Sequence, residues 1–200
     1  PSRGFWSEAI LVASDDYLKI SLVHRGYLPV LGDKITFAYR LAYQGTLAGE
    51  TPFYMLQNLS SLYMRQITNE GLGGLNSIRG VLRNRVVGEG VAWTNLEIRY
   101  RFLDFKFLGQ NWYLALNPFF DAGRVVQFYK KNEMETAGLT PPWYSSSSHY
   151  IPDKEKLHLS AGLGIKAVMN RNFIISAECG KPFDVRDGKN GTNIGLNYIF

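Results

Sequence analysis

The 200-residue chain is 46% hydrophobic, 14% aromatic and 20% charged, a balance that excludes an unfolded polymer and leans toward β structure. Its net charge of +5 raises nucleic acid or an anionic membrane as partners, but the lysines and arginines are scattered without a basic block, so no nucleic-acid partner is expected. The lone Cys179 allows neither an intramolecular disulfide nor a zinc ribbon, and His24, His149 and His158 lack ligand spacing, so no metal or cofactor is expected.

No run approaches the ~18 consecutive apolar residues of a membrane helix, which leaves membrane-crossing strands open because they need only alternate. The chain starts at Pro1 with neither an initiator Met nor a leader and reads as a mature or excised segment. In chain order, Gly4 to Ala13 is a weak strand candidate. From Tyr17 to Val30, Leu18, Ile20 and Leu22 face one way while Lys19, Ser21 and Arg25 face the other. In "KITFAYRLAYQ", Ile35, Phe37, Tyr39, Leu41 and Tyr43 alternate with Thr36, Ala38, Arg40, Ala42 and Gln44.

A long connection, Leu47 to Gly90, precedes "AWTNLEIRYRF", where Leu96, Ile98, Tyr100 and Phe102 oppose Asn95, Glu97, Arg99 and Arg101. Trp112 to Val125 is a weaker strand, and Val126 to Lys156 is a second long loop with the polar tract "PPWYSSSSHY". "LHLSAGLGIKA" alternates again, with His158, Ser160 and Lys166 on its polar face. Phe173 to Gly180 and Thr192 to Phe200 complete a set of about eight strands.

The connections "SDD", "LGD", "MNRN" and "RDGKNG" are short and the other two long, which suggests an up-and-down barrel with short turns at one end and long loops at the other. A soluble sandwich also has period two. Strand length and mid-strand charges on the polar faces favour a tilted membrane crossing around a wet lumen, with Tyr100, Phe102, Trp112 and Tyr198 as a girdle. The fold class expected is therefore an all-β, transmembrane, antiparallel up-and-down β-barrel.

Enzyme chemistry finds little support in the sequence. Ser145 to Ser148 beside His149 is adjacency on a loop, which says nothing about triad geometry. The glycines from Gly71 to Gly74 are followed by no Lys-Ser/Thr and no strand-to-helix context, so they do not form a phosphate loop.

The last residues, "NIGLNYIF", with Asn193, Gly195, Tyr198 and Phe200, resemble the C-terminal β-signal by which outer-membrane barrels are recognised for assembly. The resemblance extends to the BamA/TamA, or bacterial surface antigen, family of outer-membrane assembly and translocation barrels. "PSRGF" is similar to the opening of the second half of that barrel and "YLKISLVHRGYLPV" to the strand that follows. "TPFYMLQNL" resembles the lead into the sixth extracellular loop, and "SIRG" resembles that loop's Arg-Gly tip. "NLEIRYRF", "FFDAGRV", "HLSAGLGIKAVM" and "CGKPF" are similar to the four succeeding strands, in order. Two features depart from the pattern: Val81 stands where an aromatic is expected after Arg-Gly, and "LSSLYMRQITNEGLGGLN" is longer than its counterpart.

The resemblance implies that the loop folds back into the barrel and that Arg79 pairs with Glu97 and Asp121 on the inner wall. Strand parity independently puts both acids on polar faces, near Asn95, Arg99 and Asn117. A guanidinium fork suits bidentate capture of carboxylates away from water, and Gly80 permits a left-handed turn or close approach. Arg83 and Arg85 read as ordinary loop residues that could line the same lumen.

An eight-stranded barrel has room only for its own side chains. The expected domain, residues 1–200, is therefore the C-terminal half of a barrel of about sixteen strands, unless it meets another half. The family further implies a seam between first and last strands that can part, client outer-membrane proteins pairing with the exposed edge, accessory assembly subunits, contact with outer-membrane lipid, and location in the outer membrane of a Gram-negative bacterium. Two alternatives stay open: a related barrel serving as anchor or export conduit for an attached enzymatic domain, and a soluble β interaction domain.

Overall fold

The computed structural model describes residues 3–32, 34–61, 66–129, 156–170 and 172–196. Within them the backbone forms β1 (Gly4–Ala13), β2 (Tyr17–Leu31), β3 (Ile35–Gly49), β4 (Asn58–Ser61), β5 (Gln66–Asn69), β6 (Gly90–Phe107), β7 (Gln110–Gln127), β8 (His158–Met169), β9 (Phe173–Pro182) and β10 (Gly191–Leu196). Eight of these make one antiparallel sheet in the order β1-β2-β3-β6-β7-β8-β9-β10, and β4-β5 is a separate hairpin inside the first long connection. Every neighbour in the large sheet is the next strand of that sheet along the chain, the meander expected of an up-and-down barrel.

Period two is kept throughout. Lys19, Ser21, Val23, Arg25 and Tyr27 on β2, Thr36, Ala38, Arg40, Ala42 and Gln44 on β3 and Asn95, Glu97 and Arg99 on β6 turn to the buried face, while Leu22, Leu28, Leu41 and Ile98 lie exposed on the other. An apolar face left open beside a buried charged one inverts a water-soluble domain and matches a wall between lipid and a polar interior. Tyr100 and Phe102, 6.3 Å apart, and the stacked pair Phe105 and Trp112, also 6.3 Å apart, cluster near the β6–β7 turn. That outward aromatic group lies at the end away from the long connections, as a girdle at one membrane boundary would.

The outward face also carries a polar cluster. His24 is bonded on both ring nitrogens, by Ser7 Oγ at 2.7 Å and Tyr39 Oη at 3.1 Å. These bonds tie β1, β2 and β3 together.

The turns depart from the expected layout. Antiparallel order puts 31–35 and 169–173 at the end of the β6–β7 turn, whereas 13–17 and 182–191 lie at the end of the long connections. Two of the four short turns therefore share an end with the long loops, because in a meander the end is set by strand count and not by loop length. Most of the second long loop, residues 130–155 with Ser145 to His149, falls outside the described residues.

The interior is filled. Residues 71–86 fold into a compact loop: Leu72 pairs with Val86, Gly74 N donates to Val81 O at 2.8 Å, and Gly73 N donates to Ser77 Oγ at 2.7 Å. Leu72, Ile78, Val81 and Val86 of this loop form a buried apolar cluster with the inward-facing Val23, Ala42, Val91, Trp93 and Val125 of the wall. The wall is thus not uniformly polar. Toward the long loops it presents an apolar seat, and burying each such side chain contributes about 1.5–3 kcal/mol.

Candidate functional site

Arg79 lies at the bottom of that seat, completely buried between the apolar Ile78 and Val81. Its side chain reaches below the apolar cluster to the polar part of the wall. Nε donates to Asp121 Oδ2 and Nη2 to Asp121 Oδ1, both at 2.7 Å, the parallel fork that a guanidinium and a carboxylate form in one plane. The backbone N of Arg79 also donates to Asp121 Oδ2, at 3.0 Å, so the same carboxylate fixes main chain and side chain. Nη1 donates to Glu97 Oε1 at 2.5 Å and to Glu178 Oε2 at 3.3 Å. The guanidinium carbon stacks 3.6 Å from the centroid of the Phe119 ring, which shields it from below and adds cation–π attraction.

Each acid is held in turn. Arg99 Nε donates to the second oxygen of Glu97 at 2.9 Å. Glu178 Oε1 accepts from Asn117 Nδ2 at 3.1 Å and lies 3.0 Å from Lys166 Nζ. Above the clamp, Asn95 Nδ2 donates to Ser77 O at 2.7 Å, while Arg40 donates to Asn95 Oδ1 at 2.8 Å and to Asn76 O at 2.7 Å. Buried charges are tolerated only when paired and hydrogen-bonded. The network meets that condition with groups from β3, β6, β7, β8 and β9, so the sheet wraps around the loop.

Gly80 takes φ +92°, a conformation that favours glycine. A Cβ there would stand 2.7 Å from the carbonyl carbon of Gly180. The tip can therefore rest directly on the backbone of β9.

The structure brings Arg79, Gly80, Glu97 and Asp121 into one cluster, with Asn95, Arg99 and Asn117 around them. Arg83 and Arg85 do not join it. Arg83 pairs with Glu70 at 3.2 Å near the surface, and Arg85 Nε donates to Arg186 O at 2.9 Å. Asn193 and Gly195 lie on β10 opposite Glu178 and Ser176, while Tyr198 and Phe200 fall outside the described residues. Val81, at the position where an aromatic is expected, is buried at 3% exposure in the apolar seat with Ile78 and Leu72.

Sequence reasoning missed Glu178 and Lys166. Lys166 was assigned to a polar face, and the same alternation along "SAECGKP" places Glu178 inward, but nothing local indicates that the two reach the loop. Cys179, next to Glu178, faces outward and is exposed. Among the described residues, no group of His, Cys, Asp and Glu is arranged to hold a metal.

The arrangement clamps a loop; it offers no nucleophile beside a base. No protein-family model and no curated protein matches the chain. Among solved structures, it is similar to the crystal structure of BamA from Haemophilus ducreyi lacking POTRA domains 1-3, with a TM-score of 0.61 and 17% sequence identity. The match covers 98% of this chain and 39% of that one. At this identity the likeness is one of fold: the strands form a section of a BamA-type barrel, and the chain spans about two-fifths of the length of the protein it matches.

Proposed function

We propose that this chain is the C-terminal part of an outer-membrane barrel that inserts or translocates other outer-membrane proteins, in the manner of the BamA/TamA family. The observation that carries the proposal is the inward loop, with Arg79 held by Asp121 and Glu97 inside a BamA-type sheet.

In this proposal the barrel lies in the outer membrane of a Gram-negative bacterium, its apolar face against lipid. The segment with Asn193, Gly195, Tyr198 and Phe200 is both the chain's own assembly signal and one side of a seam. Client strands add to the exposed edge by backbone pairing, and burial of the client's apolar surface in lipid supplies the driving force without nucleotide. Accessory subunits would deliver clients.

Proteoliposomes containing the full-length protein provide the test. They should fold a small, urea-unfolded outer-membrane barrel several-fold faster than empty liposomes, measured by its heat-modifiable migration on a gel. Equal rates would remove the assembly role.

A further inference from the structure

We propose that the Arg79 loop is a latch on the terminal hairpin of β9, its turn and β10, so that loop docking and the order of the last strand rise and fall together. The inference concerns the barrel itself and does not depend on which clients it serves.

Three sets of contacts converge on that hairpin. The first is ionic. Glu178 on β9 accepts from Arg79 at 3.3 Å and is steadied by Lys166 at 3.0 Å, so the clamp extends from β6 and β7 across to the strand next to the last.

The second is a contact of bare backbones. Gly180 and Gly191 are register partners on β9 and β10. A Cβ on Gly180 would stand 2.8 Å from Arg79 O, and one on Gly191 would stand 2.9 Å from Gly80 Cα. The loop tip therefore lies on both strands at once, at a place where side chains would hold it off.

The third is the turn between the strands. Leu82 N donates to Asp187 O at 2.8 Å and Arg85 Nε to Arg186 O at 2.9 Å, so the turn clasps the loop from the outside. The clasp is itself fixed. Asp187, buried to 1% exposure, meets His158 Nδ1 at 2.8 Å, and Asp184 accepts from Arg186 N at 2.9 Å. Hydrogen bonds from Arg186 hold the Asp184 carboxyl below the usual carboxylate range.

Among the described residues β10 runs Gly191–Leu196 and pairs with β9. With one described ladder, β10 draws order also from contacts beyond that ladder, and here those contacts come from the loop. β1, at the far end of this run of strands, differs: its inward Glu8 is paired with Arg25 of β2, 3.5 Å away. Releasing the loop should therefore loosen β10 and spare β1.

Amide hydrogen exchange on the full-length protein in lipid nanodiscs, without client, tests the latch. Asp121→Asn removes the ionised fork of Arg79 from β7, away from β10 in the sheet order. It should speed exchange across 191–196 about tenfold or more while leaving 5–12 unchanged. Gly191→Ala, which pushes a methyl into Gly80, and Asp187→Asn, which weakens the clasp, should act in the same direction. Glu8→Gln should loosen 5–12 and leave 191–196 alone.

The latch is overturned if 191–196 is unchanged in Asp121→Asn, or if 5–12 and 191–196 loosen equally in it. Should Asp121→Asn fail to insert, Arg79→Lys, which keeps the charge but loses the fork, decides by the same two readings. No assembly reaction enters the measurement, so a failed latch and a failed assembly role are separate results.

Discussion

Arg79 and Arg83 stand four positions apart on one loop and meet opposite fates. Arg79 is wholly buried among three carboxylates, whereas the side chain of Arg83 is 65% exposed beside Glu70. Both make an ion pair at ordinary distance, so distance does not separate them. Desolvation does: a charge removed from water must be compensated completely, and an exposed one hardly needs its partner. The comparison singles out Arg79 as the arginine whose charge needs its partners, since Arg83 keeps contact with water.

The largest effect should follow Arg79→Ala. The substitution leaves Asp121, Glu97 and Glu178 buried together, with Arg99, Lys166 and Arg40 as the nearby counter-charges. The cost should be about 3–5 kcal/mol, read as a lowered midpoint of urea unfolding in micelles. An effect below about 1 kcal/mol would mean that the clamp is open to water, and the contrast with Arg83 would collapse.

Gly80→Ala should come next. It forces a left-handed φ of +92° on a side-chain-bearing residue and drives a methyl to 2.7 Å from the Gly180 carbonyl carbon, so either the tip or β9 must shift. A loss of about 1–3 kcal/mol is expected, from backbone strain at such a site. It should be accompanied by protease cleavage within residues 71–90 of an otherwise inserted barrel. This variant sharpens the comparison, because it unseats Arg79 without removing a charge.

Much of the frame was legible in the sequence because a half-polar wall writes period two into each strand. Alternation alone put Glu97 and Asp121 on one face with Asn95, Arg99 and Asn117. What it could not supply was which inward groups share a level, since that depends on the stagger between strands. Glu178 and Lys166 are in contact although register pairs them with Gly164 and Ser176. Gly180 and Gly191 carried no local signal at all. Their role exists only where a loop from elsewhere in the chain lies against them. The apolar seat was missed for a related reason: Val23, Ala42, Trp93 and Val125 come from four strands, and no single strand shows the patch.

Arg83→Ala should give the smallest effect and is the control on which the comparison rests. Its partner Glu70 is 18% exposed, and the pair is screened by solvent on the arginine's side. Coulomb attraction there is weak, and holding two long side chains in one geometry costs entropy that offsets most of it. A change well under 1 kcal/mol is expected, diminishing further in high salt. A loss as large as that of Arg79→Ala would mean that the loop is held by its rim and not by its buried tip.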